Sequence, residues 1–378
     1  MKIGIVCYPT FGGSGVVATE LGMALANKGH EVHFITYNQP VRLDFLSHKL
    51  HFHQVLVEDY PLFQYQPYEL AFSSKMVEVV QKYELEVLHV HYAIPHAYAA
   101  FMAKQMLREK GIEIKVVTTL HGTDITLVGS HPTYKTAVEF SINNSDVVTA
   151  VSNNLKETTN QLFNIKKDIK VIYNFIDVKK YSKAEGEDCK RSALAKPNER
   201  ILTHISNFRP VKRVEDVIKV FFEVQKEIPS KLLMIGEGPE RKKAEQLTKQ
   251  LGIKNKVFFL GNSTEIDKIL CYSDVFLLPS KTESFGLAAL EAMAAKTAII
   301  STNTGGLPEV NIHGETGFLS NLGDVEDMAK NAISILKRDD ILECFKLNAQ
   351  EHTKRFSLEN ILPVYEEIYK SCYKSEVE

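Results

Sequence analysis

The feature that most constrains this chain is a rhythm that runs twice. Short β-branched and aliphatic runs alternate with longer stretches that carry apolar residues at helical spacing. In the first half, Lys2–Cys7, Glu31–Thr36, Val87–His91 and Lys115–Thr119 read as buried strands, with helical segments between several of them. Strands without polar alternation are buried on both faces, and strand–helix–strand succession implies a parallel sheet covered by helices. After a polar stretch the rhythm restarts with Ile201–Ile205, Lys231–Ile235, Val257–Leu260, Val275–Leu278 and Thr297–Ser301. The predicted fold class is therefore α/β, with two Rossmann-like, doubly wound domains facing each other across an interdomain cleft.

At 378 residues the chain exceeds what one hydrophobic core usually organises. The seam is placed between Asn174 and Asn198, where Lys179–Arg191 is charged and short of large aliphatics and Pro197 follows. Ligands of open α/β sheets sit at the carboxyl ends of the strands, so the loops there are the ones to search.

A formal net charge of −2 provides no long-range attraction for nucleic acid or anionic lipid. The five cysteines are scattered without a C-x-x-C pair, which fits a reducing cytoplasm. The first residues form too short an apolar run for a signal peptide, and no apolar stretch reaches the length of about 18 residues that spans a bilayer. The expected localisation is cytoplasmic, with no integral membrane segment; a homo-oligomer is compatible with the sequence.

The first strand runs into Gly12-Gly13-Ser14-Gly15 and then a helix with apolar Val17, Leu21 and Leu25. Glycines there let backbone N–H groups approach an anion at a helix N-terminus, although a tight strand-to-helix turn without ligand has the same sequence. Gly13–Ala18 fits G-x-G-x-x-A, yet the second strand ends in Thr36-Tyr37-Asn38, with no acid to take a ribose, which argues against a dinucleotide. His91 and His96, and then His121 and Asp124, fall at the ends of further strands. The H-x4-H spacing of His91 and His96 and the H-x-H of His51 and His53 lack a matching Cys or Glu pattern, so these histidines read as structural or surface groups and no metal is expected.

In the second half, Ser206–Arg213 follows a strand directly and presents Arg209, Lys212 and Arg213, the side chains that supply charge-assisted donors to phosphate; a solvated basic loop is the alternative. A helix is expected to begin near Ser284, with Glu291 as its one charge. Two turns would then put Glu291 on the face of the helix start, about 10 Å along the axis, so that one extended ligand touches Glu283 and Glu291. Thr304–Glu309 and His313–Phe318 are glycine-rich turns whose backbones either approach a ligand or merely turn.

Taken together, Glu283–Glu291, the Arg209/Lys212 loop, His121-Gly-Thr-Asp124 and Gly305-Gly-Leu-Pro-Glu309 resemble the retaining nucleotide-sugar glycosyltransferases of family four over nearly the whole chain. The resemblance implies the GT-B architecture, with residues 1–175 as an acceptor domain, 176–356 as a donor domain, and a final helix, 357–378, crossing back to the first. The wording of Gly12–Glu20, His89–His96 and Ser206–Arg213 is similar to a branch in bacillithiol synthesis that joins UDP-N-acetylglucosamine to the hydroxyl of L-malate. On that basis Arg209 and Lys212 hold the diphosphate, Glu291 the ribose and Glu283 the transferred sugar. Backbone groups of Gly13, Ser284, Phe285, Gly286 and Leu287 add donor contacts, and His121 and Asp124 line the sugar site. The family commonly spaces its cleft lysine five residues after the arginine; here the spacing is three, which leaves Lys212 and Arg213 as rival phosphate ligands. Ser14, Tyr92, Thr119 and Asn153, with Lys75 as a cation, are the candidate acceptor groups. A transferase with a sugar or lipid acceptor, and a UDP-N-acetylglucosamine epimerase, are the competing readings.

Overall fold

The computed structural model describes residues 1–10, 12–44, 47–58, 62–182 and 191–374. Most of the charged stretch expected at the seam, and Cys189 with it, lies outside the described residues. The chain divides into two units, Met1–Asn174 with Leu358–Glu378, and Phe175–Ser357.

The first unit is a seven-stranded parallel sheet. Its strands are β1 (Lys2–Val6), β2 (Glu31–Thr36), β3 (Leu50–Gln54), β4 (Val87–His91), β5 (Lys115–Leu120), β6 (Val147–Ala150) and β7 (Ile169–Val171), in the order β3-β2-β1-β4-β5-β6-β7. The second unit has six, β8 (Arg200–Ile205), β9 (Ser230–Ile235), β10 (Val257–Gly261), β11 (Val275–Leu278), β12 (Ala298–Thr302) and β13 (Gly317–Ser320), in the order β10-β9-β8-β11-β12-β13. Both are Rossmann-like sheets whose strand order reverses once, between β1 and β4 and between β8 and β11. That reversal is where loops from adjacent strands diverge and leave a crevice.

Continuous apolar runs make these strands central because a parallel strand is covered on both faces. Every residue of β4, β11 and β12 is buried. In the second unit, Val217, Phe221 and Val224 of the helix Val214–Glu227 pack on Leu202, Leu232 and Met234 beneath it. Each such side chain contributes about 1.5–3 kcal/mol by leaving water. The final helix, Leu358–Lys374, belongs to the first unit, where the Tyr369 hydroxyl lies 2.8 Å from His89 Nδ1. The second unit is closed by its own ends, Ile176 N–H donating to the Phe356 carbonyl at 3.0 Å. Among the described residues no helix is long and apolar enough to cross a membrane.

Candidate functional site

In the second unit the loops after β8 and β11 meet across the strand reversal. The first makes a single helical turn at Pro210–Lys212, with Arg209 before it and Arg213 in the left-handed region at φ 49° after it. Lys281 N–H donates to the Val211 carbonyl at 2.8 Å and binds the two loops backbone to backbone. On that tie Lys212 Nζ meets Glu283 Oε1 at 2.5 Å, and the Ser280 hydroxyl donates to the same oxygen at 2.8 Å. Both partners are mostly covered, with side-chain exposures of 21% and 13%, so the pair is better insulated than an open surface bridge. Arg213 is occupied elsewhere: its Nε reaches Asp216 Oδ2 at 2.5 Å in the first turn of the next helix. The Arg209 side chain is exposed and makes no hydrogen bond or ion pair among the described residues; only its carbonyl is engaged, accepting Lys212 N–H at 2.8 Å.

The helix that follows Glu283 starts later than the sequence suggested. It spans Leu287–Ala294, and its N-cap is Gly286 at φ 102°. The left-handed glycine turns the chain between Ser284 and the helix, so the two-turn spacing from Ser284 to Glu291 does not apply; Glu291 lies about 6 Å along the axis from Leu287. Buried Glu291 accepts the Tyr181 hydroxyl at Oε1, 2.9 Å, which answers part of the cost of a charge inside an apolar helix. The Gly305-Gly306 turn also has a different use from the ligand approach considered for it. Gly305 sits at φ 59°, a Cβ there would stand 2.0 Å from the Glu283 carbonyl oxygen, and Gly306 N–H donates to that oxygen at 2.8 Å. The turn holds the backbone of Glu283.

In the first unit the loops after β1 and β4 converge in the same way. Exposed Gly13 opens the helix Gly13–Asn27, whose N-cap, Gly12, brings no side chain to its N–H groups. Ser14 Oγ lies 2.6 Å from the Tyr92 hydroxyl. Tyr92 is held at φ 89°, a conformation that costs a non-glycine residue energy and aims its side chain. Burial pushes the Tyr92 hydroxyl above its ordinary pKa, so it is protonated at neutral pH.

Four further residues have partners that their place in the sequence does not reveal. Thr119 is fully buried, its hydroxyl shared between His89 Nε2 and Thr149 Oγ1 at 2.7 Å each, so it is a core group and not an acceptor contact. Asp124 is buried and accepts N–H groups of Ala93 and Gly122 at 2.7 and 2.9 Å; it ties the β4 and β5 loops instead of lining a sugar site. Lys75 is clamped by Glu78 one turn away on its own helix, 2.9 Å to each oxygen. Asn153 is exposed and its amide donates to the Tyr173 hydroxyl at 2.8 Å.

His121 remains beside Tyr92, ring centroids 5.2 Å apart, with Nε2 2.8 Å from His91 Nδ1. Burial, then the neighbouring His96, depresses His121 to about 3, and burial raises Asp124 to about 6. The imidazole is thus neutral at pH 7, a hydrogen-bonding group and not a cation. His96 accepts the Tyr68 hydroxyl at Nε2, 3.3 Å, while Nδ1 donates to the His91 carbonyl at 2.7 Å, so the His91/His96 spacing builds a loop.

The sequence reading missed Ser280 and Tyr181. Ser280 follows β11 by two residues, and the rule that strand ends carry function would have found it. Tyr181 comes from the short helix Val178–Ser182, 110 residues from Glu291 in the chain, with no local signal.

Two family models match the chain: Glycosyltransferase Family 4 over residues 11–180 and Glycosyl transferases group 1 over residues 187–352. The sequence is 49% identical to N-acetyl-alpha-D-glucosaminyl L-malate synthase of Bacillus anthracis, covering 100% of this chain and 98% of that one. It is 33% identical to 2-deoxystreptamine N-acetyl-D-glucosaminyltransferase of Niallia circulans, over 40% of this chain and 41% of that one. Among solved structures, Anabaena HepE in complex with UDP and glucose is similar with a TM-score of 0.81 and 20% identity, covering 98% of this chain and 100% of that one. At that identity the likeness concerns the fold.

Proposed function

The chain belongs to the glycosyltransferases of family 4, and on that premise we propose that it transfers N-acetylglucosamine from UDP-N-acetylglucosamine to the hydroxyl of L-malate, with the α configuration kept, as a step of bacillithiol synthesis. The full-length likeness to the Bacillus anthracis malate synthase supports this choice of substrates.

One geometric observation carries the donor assignment: Lys212 and Glu283 meet at 2.5 Å across the strand reversal. A cation and a carboxylate paired at a ligand crevice can exchange that partner for a phosphate and a sugar hydroxyl. When the donor binds, Lys212 turns with unpaired Arg209 to the diphosphate, and Glu283 is freed to hold the sugar. Arg213, already held by Asp216, is the weaker of the two rival phosphate ligands. Backbone N–H groups of Phe285, Gly286 and Leu287 add donors at the helix start, and Glu291, braced by Tyr181, takes the ribose.

The reaction forms a bond between the malate oxygen and C1 of the sugar and breaks the bond from C1 to the diphosphate. Arg209 and Lys212 stabilise the charge that develops on departing UDP, the role of preorganised donors. Retaining glycosidases place a nucleophilic carboxylate about 5 Å from its acid partner. Glu283 and Glu291 are assigned to sugar and ribose, so transfer proceeds on one face and the leaving phosphate oxygen accepts the malate proton. These cations supply the charge for which other transferases use a metal, and the reaction needs none. Ser14 and Tyr92 hold the acceptor.

The purified protein, incubated with UDP-N-acetylglucosamine with and without L-malate, is followed for UDP and for product mass. The expected result is UDP release that requires malate, together with a product carrying both groups. UDP release indifferent to malate would instead support the epimerase, and no release with or without malate would support another acceptor.

A further inference from the structure

We propose that the outer edge of the first sheet binds one zinc-class divalent ion on Glu31, His33 and His51, independently of the transferase reading. β3 is an edge strand paired in parallel with β2, with His33 opposite His51 and Ile35 opposite His53. Side chains two apart share a face, so Glu31 and His33 of β2 stand on the same side as His51 and His53 of β3.

The potential ligand atoms of Glu31, His33 and His51 lie within 4.8 Å of one another. Glu31 Oε1 is 3.1 Å from His33 Nε2 and 3.4 Å from His51 Nε2. A tetrahedral ion with ligands at about 2.1 Å spaces them about 3.4 Å apart, so an ion fits with little movement of these side chains. Two imidazoles and one carboxylate suit zinc and its neighbours and not magnesium or calcium, which prefer oxygen.

The surroundings support the site. His53 Nε2 lies 2.9 Å from His33 Nδ1, the second-nitrogen bond that fixes a ligating imidazole. The Tyr83 ring packs on His33 and His53 at 4.6 and 5.0 Å. His33 is fully buried, whereas Glu31 and His51 keep side-chain exposures of 36% and 34%, which gives an ion and one water access from solvent. The nearby cation Lys75 is offset by Glu78. Along the chain only the His51/His53 spacing is visible; the other groups arrive from β2, and the ion would fasten an edge strand to the sheet.

The test uses the full chain, stripped with chelator and dialysed against buffered zinc, with metal counted by mass spectrometry. One zinc per chain is expected, and at a hundredfold excess over Kd the unfolding temperature should rise by about 3–4 °C. His51→Ala and Glu31→Gln alter half-exposed side chains, and circular dichroism checks that each folds. Each should weaken binding at least about tenfold, and His53→Ala, which acts only through His33, by about 10–100-fold. Cobalt(II) in the wild-type chain should give the intense visible absorption of a tetrahedral site. Absence of bound zinc, binding undiminished in His51→Ala and Glu31→Gln, or a weak octahedral cobalt spectrum overturns the proposal.

Discussion

Lys212 Nζ and Glu283 Oε1 lie 2.5 Å apart, joined from the ends of two adjacent strands, with the Ser280 hydroxyl on the same carboxylate oxygen. A mostly covered pair of this kind leaves a costly orphan when either partner is removed, unless a ligand takes its place. That double use, structural without donor and functional with it, makes the pair the most informative place to cut.

Glu283→Gln should lower kcat/KM for UDP-N-acetylglucosamine by about 100- to 1,000-fold, the loss typical of a group aimed at the transition state. Lys212→Ala should cost a similar amount. Arg213→Ala, which frees Asp216 instead, should change kcat/KM by less than about fivefold and appear chiefly as reduced stability. Steady-state kinetics on the three variants decide the matter, and equal losses at Lys212 and Arg213 would contradict the assignment.

Tyr92→Phe and Ser14→Ala each remove one end of a 2.6 Å hydrogen bond. If these hydroxyls hold the acceptor, KM for malate should rise about tenfold while donor KM moves by less than about twofold, since one hydrogen bond is worth about 1–1.5 kcal/mol. A rise in donor KM alone would place the acceptor elsewhere.

Gly305→Ala introduces a Cβ 2.0 Å from the Glu283 carbonyl oxygen, at φ 59°. It should displace Glu283 and reduce kcat/KM by at least about tenfold, because small misplacements of positioning groups are expensive. Gly314→Ala is the control: its φ is also positive, at 82°, but nothing lies within 4 Å of the added Cβ. The control should cost about 1 kcal/mol of stability with activity retained. Equal effects on activity would show that strain alone, and not the approach to Glu283, is responsible.

Stability should fall as pH drops from 7.5 to 5.5. Burial holds His89, His96 and His121 at about 3, 4 and 3, below their ordinary 6.5. The folded chain therefore refuses protons that the unfolded chain accepts, and stability present above pH 6.5 is lost below it. At pH 5.5 each buried imidazole loses about 1.4 kcal/mol. Asp124 opposes this, because its pKa is raised to about 6 and the folded state gains as it protonates, but by less than about 1 kcal/mol at pH 5.5. Urea midpoints at the two pH values measure the balance; a midpoint that rises on acidification would refute it.

Two parallel sheets, and the loops at the carboxyl ends of their strands, follow from the order of the residues. β1, β2, β4, β5, β8, β9, β10, β11 and β12 were legible to within a residue or two, because a strand covered on both faces is predominantly apolar and lacks polar alternation. β7 and β13 are short strands at sheet edges, β6 has four residues, and β3 reads Leu-His-Phe-His-Gln, whose polar positions resemble a loop until β2 is set beside them. Lys212, Glu283, Ser14 and Tyr92 were visible because chemistry at the carboxyl end of a strand is a local pattern. What each side chain touches is not local. Tertiary structure alone decided that Thr119 is core, that Asp124 holds backbone, that Glu291 rests on Tyr181 and that His51 faces Glu31, since each partner arrives from a distant element through the packing of the sheet.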